Sequence, residues 1–269
     1  MTFPNLFTFL IIANLISIDY QGSFHTDGEG TILTTEECLL NKNRNKNMSK
    51  EEIERKILNY LGATKVIWLP FGLAFDEDTN GHVDNIACFA RPGEVILSWT
   101  DDENDINRQR FEEAERVLIQ EVDAKGRNLK INKLHIPSTM VSSRMVDEIQ
   151  MITLLTDICF HHAGKFLTTK EVATLDPTSS HSDTQACERI VGERLAASYV
   201  NYYLSNEAII VPQFGDKIYD KKAIENMEEI FPALKVVGVY SREILIGGGN
   251  IHCVTQQFPL SPEDLKCNN

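Results

Sequence analysis

The sequence predicts an α/β protein assembled from repeated β-β-α-β units, in a propeller or array where each unit buries a face against its neighbour. Three observations carry this reading. Short apolar runs alternate with amphipathic helical stretches, the order recurs about three times at a period near 50 residues, and glycine or a capping residue marks most boundaries. With 269 residues, 42% of them hydrophobic, the chain is long enough to bury a substantial core.

The first unit pairs the strand-like runs Ser23 to His25 and Thr31 to Thr34. A helix follows, opened by the capping box Ser49-Lys50-Glu51-Glu52, with Ile53, Ile57, Tyr60 and Leu61 on one side and Gly62 as its stop. Val66 to Leu69 supplies the last strand. The second unit runs through His82 to Phe89, Val95 to Trp99, a helix from Asp105 to Val122 and the alternating stretch Leu129 to Leu134. The third takes Ala197 to Tyr203, Ile209 to Val211, a helix from Lys221 to Ile230 and Val236 to Val239. Pro137 to about Glu193 breaks the pattern; its Thr174 to Thr184 portion reads as a loop, and Met140 to Phe166 has helical amphipathicity. Met1 to Ile18 is apolar and interrupted by Asn14. It fits a signal-peptide core, a buried strand or a start foreign to the rest of the fold. The expected organisation is therefore residues 1-19 as an atypical start and 20-269 as one propeller domain with an insert at about 138-193.

A net charge of -13 and a pI near 5.0 oppose nucleic-acid binding and favour a cationic substrate. The six cysteines form no C-x-x-C pair, so neither a zinc site nor a disulfide scaffold is expected and reduced thiols in the cytoplasm are the plainer reading.

Two segments can hold chemistry. Asp76, Asp78, Asn80 and Gly81 match the opening of a calcium loop, but the twelfth position is Ala87 where a bidentate Glu is needed, so no metal is expected. Asn80-Gly81 reads better as a turn into a strand, on which His82 and Asp84 would share a face. In Gly247-Gly248-Gly249-Asn250-Ile251-His252-Cys253, the glycines suit close backbone approach, and no phosphate-loop register is present. Taken alone, Cys253 reads first as a small buried hydrophobe. On a strand His252 would face away from it, so the base for a Cys253 nucleophile must come from elsewhere. Both segments follow glycine at comparable places in the repeat, where strands of a closed array converge on the axis.

The stretches DGEGTILTTEECLLNKNRN (Asp27 to Asn45), GHVDN (Gly81 to Asn85), ERLAASYVN (Glu193 to Asn201) and GGGNIHCVTQQ (Gly247 to Gln257) closely resemble plant-type agmatine deiminases of the peptidylarginine-deiminase superfamily. The resemblance implies a pentein-type α/β propeller, here incomplete, and cofactor-free hydrolysis of agmatine to N-carbamoylputrescine and ammonia in polyamine synthesis. It implies Cys253 as nucleophile and His82 as general acid and base. Asp84 would grip the guanidinium, and Asn201 is a further substrate-binding candidate. Agmatine is the implied small-molecule partner, and a homo-oligomer is compatible with the resemblance. The family's R-D-x-G-P segment has no counterpart, and its E-G-G-S-I-H reads Tyr20-Gln21-Gly22-Ser23-Phe24-His25. A chain truncated at its N-terminus is thus expected. The competing reading is an inactive paralogue that serves as a binding or assembly partner; a protein-arginine deiminase is less favoured.

Overall fold

The computed structural model describes residues 22–141 and 192–255. The chain divides into two compact units, one of residues 1–140 with 195–269 and one of residues 141–194. The apolar start, Tyr20 and nearly all of the expected insert lie outside the described residues. In the smaller unit the described pairing is the isolated bridge between Val141 and Arg194.

The larger unit holds three three-stranded sheets among the described residues. The first contains β1 (Phe24–Thr26), β2 (Thr31–Thr35) and β3 (Lys65–Leu69), with the short α1 (Glu36–Leu39) and α2 (Lys50–Leu61) before β3. The second contains β4 (Ala87–Arg91), β5 (Glu94–Trp99) and β6 (Lys130–His135), with α3 (Ile106–Gln120). The third contains β7 (Tyr203–Leu204), β8 (Ala208–Gln213) and β9 (Lys235–Tyr240), with α4 (Lys217–Ile230); α5 (Arg242–Ile246) follows. Each sheet pairs its first two strands antiparallel and its last two parallel, so the helix is the crossover that a parallel pair requires. This is the mixed α/β architecture of a pentein-type propeller, with three units described.

Neighbouring units are joined by the alternation of the middle strands. Ile32 of β2 packs with Ile53 and Ile57 of α2, whereas Leu33 points the other way and joins Phe89, Val95, Leu97, Phe111 and Leu118 of the second unit. Ile96 lies between Val95 and Leu97 yet packs on Ile209, Val211, Ala223 and Met227 of the third. A strand buried on both faces needs an unbroken apolar run, and Val95 to Leu97 provides one. Leu33, Ile67, Ile96 and Leu97 are fully buried, each stabilising the stack by about 1.5–3 kcal/mol over an exposed position.

Local signals set the helix ends. Ser49 and Glu52 exchange both capping-box hydrogen bonds, and Gly62 closes α2 at φ 65°. Asp105 and Asp216 cap α3 and α4; α4 begins at Lys217, earlier than the apolar periodicity from Lys221 indicated, because Asp216 accepts from the Ile218 and Tyr219 amides.

Three expected strands are not strands. His82 to Ile86 passes through a 3-10 turn at Val83–Asn85 before β4 begins at Ala87. Residues Ala197 to Tyr202 precede the short β7, and Ile251 to Val254 form a turn. In each case the backbone is held by distant partners: Ser98 donates to the Ile86 carbonyl, and His252 N–H donates to Asn201.

Candidate active site

Asn80 and Gly81 adopt φ angles of 56° and 80°, the pair of positive values that Asn-Gly turns supply. The turn delivers His82 and, one residue beyond Val83, Asp84 into the 3-10 turn. Convergence of the two side chains is therefore not the shared face of a strand. It is fixed by Gly22, where a Cβ would lie 2.3 Å from His82 Nδ1 and 2.7 Å from Asp84 Oδ2. Only a residue without a side chain lets both groups close over this backbone, and the Gly22 carbonyl also accepts from Asp84 N–H at 3.3 Å.

Gly249 has the same function for the thiol, since a Cβ there would come within 2.9 Å of Cys253 Cβ. The turn places His252 and Cys253 on the same carboxylate. His252 Nδ1 lies 2.8 Å from Asp84 Oδ2, and Cys253 Sγ lies 3.4 Å from the same oxygen. His252 thus does not face away from Cys253, as strand geometry would have required. Its ring serves Asp84, a role that its spacing in the sequence gave no reason to expect.

Asp84 is 1% exposed, and among the described residues its Oδ1 accepts no hydrogen bond. Burial alone would push this carboxyl up. The hydrogen bond from His252 and the electrostatic attraction of the His252 and His82 rings outweigh that penalty and hold it below the ordinary carboxylate range. A buried anion with one oxygen saturated and the other open is set to accept from a cationic donor. The same anion acts against the thiol: burial first, then the Asp84 charge, pushes Cys253 well above the usual thiol range.

Arg44 Nη2 donates to the Thr79 carbonyl at 2.7 Å and lies 3.2 Å from His82 Nε2. A guanidinium only donates, so Nε2 is the lone-pair nitrogen of His82 and Nδ1, facing Gly22 and Asp84, carries the hydrogen. His25 is a second histidine that sequence reasoning passed over, although it ends the Tyr20 to His25 motif. Its Nδ1 accepts from Phe89 N–H at 3.2 Å, and its ring centroid lies 6.0 Å from that of His252. Burial, followed by the neighbouring His252, lowers it to about 3, which makes it a neutral N–H donor beside the carboxylate.

Asn201 is fully buried, and its Nδ2 lies 3.2 Å from Cys253 Sγ. The turn once matched to a calcium loop closes on itself, with Asp76 accepting from Thr79 and Asn85. Among the described residues no group of three or more His, Cys, Asp or Glu side chains is arranged to hold a metal ion. The carboxylate and the thiol come from segments 169 positions apart, Asp84 from the 3-10 turn before β4 and Cys253 from the turn after α5.

The family model for Porphyromonas-type peptidyl-arginine deiminase matches residues 19–259. An agmatine deiminase of Medicago truncatula is 49% identical over 239 residues, covering 88% of this chain and 56% of the relative. An agmatine deiminase structure from Enterococcus faecalis superposes with a TM-score of 0.71 at 39% identity, over 88% of this chain and 56% of that one. A Cys-to-Ser variant of the C. jejuni agmatine deiminase, with substrate bound, gives a TM-score of 0.63 at 25% identity, over 87% and 54%. The chain thus spans little more than half the length of these relatives. Repeat architecture, motif segments and the family match along most of the sequence agree, and the chain belongs to the Porphyromonas-type peptidyl-arginine deiminase family.

Proposed function

We propose that this chain is a cytoplasmic agmatine deiminase that works without a metal or organic cofactor and releases N-carbamoylputrescine and ammonia. The observation that carries the reading is the open Oδ1 of buried Asp84 beside the Cys253 thiol. A guanidinium docked on Asp84 would satisfy that oxygen with a planar donor and set its carbon next to the sulfur. The net charge of -13 favours approach of a dication and disfavours nucleic acid as a partner.

The cation supplies what the thiol lacks. Its charge offsets the repulsion from Asp84, so thiolate forms on binding and the thiol proton leaves to solvent. The sulfur then bonds to the guanidinium carbon, His82, made imidazolium by a proton taken up from solvent in exchange for the one the thiol released, gives a proton to one amino nitrogen, and that nitrogen leaves as ammonia. Water adds to the amidino carbon with His82 taking its proton; the C–S bond breaks and thiolate is restored. His25, kept neutral by burial, lies near Asp84 without adding a competing cation.

Purified chain incubated with agmatine is expected to release ammonia and N-carbamoylputrescine in equal amounts, with Cys253→Ala inactive. Folded chain that yields neither product would overturn the proposal.

A further inference from the structure

The Asp76 turn and the amide groups around Cys253 form one continuous hydrogen-bond chain, and its direction is fixed at both ends. Asp76 is buried, and its Oδ2 accepts from Asn85 Nδ2 at 3.0 Å. The amide of Asn85 is thereby oriented, leaving its Oδ1 to accept from Asn201 Nδ2 at 3.1 Å. At the far end, the His252 backbone N–H can only donate, and it does so to Asn201 Oδ1 at 2.9 Å. Both constraints give Asn201 the same orientation, with the second hydrogen of its Nδ2 aimed at Cys253 Sγ, 3.2 Å away. Asp76 has a second branch: Thr79 Oγ1 donates to it and accepts from His82 N–H at 3.2 Å.

We propose that Asn201 is a catalytic residue that stabilises the Cys253 thiolate through a fixed N–H donor, and that Asp76 and Asn85 are positioning residues that hold this donor in place. Beside the Asn250 backbone amide, the chain would give the sulfur a neutral side-chain donor that does not compete with the substrate for Asp84. With its amide engaged by Asn85, His252 and Cys253, Asn201 would act on the sulfur and not as a direct grip on the substrate. The hydrogen bond from Asn201 acts to lower the thiol, against burial and Asp84. Of the charged or titratable groups around the sulfur, Asp84 faces it directly, and His252, His82 and His25 interact with that carboxylate.

The inference rests on Cys253 being the reacting thiol, and its test does not use agmatine. Full-length protein is alkylated with iodoacetamide across a pH series, and modification at Cys253 is followed by peptide mass spectrometry, with circular dichroism as the folding control. Loss of one hydrogen bond to a charged sulfur slows alkylation at a fixed pH by about tenfold, moving the midpoint up by about one pH unit. That result is expected for Asn201→Ala, and a smaller slowing of about threefold is expected for Asp76→Ala. Asp76→Asn keeps an oxygen that accepts from Asn85 and should react like the parent. The proposal is overturned if folded Asn201→Ala keeps the parent midpoint, or if Asp76→Asn slows alkylation as much as Asp76→Ala. A chain that alkylates as predicted but releases no ammonia would retain this inference while refuting the proposed function.

Discussion

Replacing Asp84 by Asn removes one negative charge from the centre of the site while preserving shape and an acceptor for His252. Two readouts should then move in opposite directions. Asp84 is nearly inaccessible to water and offers its open Oδ1 to a donor, so the substrate cation loses a charge-assisted contact in a buried setting. Loss of such a contact, with the partner charge left uncompensated, costs about 3–4 kcal/mol. At about 1.4 kcal/mol per decade, kcat/KM for agmatine should fall by two to three orders of magnitude. The thiol, in contrast, is freed from the charge that raises it after burial, so Cys253→thiolate conversion becomes easier and iodoacetamide modification of Cys253 should accelerate. Steady-state kinetics and site-resolved alkylation on one preparation check both. A kcat/KM within tenfold of the parent, or slower alkylation, would refute the reasoning.

His252→Ala should lower kcat/KM by about ten- to a hundredfold, since a hydrogen bond to a charged group is worth about 1.5–3 kcal/mol, with the loss measured under saturating and limiting agmatine. Gly22→Ala drives a methyl group into His82 and Asp84 and should reduce turnover at least tenfold, checked by kinetics alongside a thermal melt that reports whether the fold survives. Asp76 is raised to about 6 by burial, against an ordinary value of 3.8. A carboxyl raised in the folded state contributes stability that is complete below the unfolded value and is lost as pH climbs through the folded one. Urea unfolding should therefore show the parent losing about 2–3 kcal/mol relative to Asp76→Asn as pH rises from about 4 to above 6, with a flat difference contradicting the assignment.

The repeat, its strand pairs and its caps were legible because their causes are local. Ser49, Glu52 and Gly62 interact within one helix, and the apolar run Val95 to Leu97 announces burial on two faces. The site was legible in its residue types, with His82, Asp84 and Cys253 brought together by the fold, but not in its geometry. Strand periodicity placed His82 and Asp84 on one face and separated His252 from Cys253. A 3-10 turn and a terminal turn replaced those strands because Asn201, Ser98 and Gly22 supply backbone partners from far along the chain. Asp76 matched the beginning of a calcium loop, yet in the fold its oxygens are taken by Thr79 and Asn85. Neither hydrogen bond leaves a periodicity in the sequence.

The central claim is that agmatine becomes covalently attached to Cys253. Acid-quenching the reaction during turnover and mapping the modified peptide tests it most directly. The account predicts an amidino adduct on Cys253 that has lost ammonia but still carries the four-carbon amine of agmatine. Turnover with Cys253 unmodified, or an adduct on a different cysteine, would contradict it.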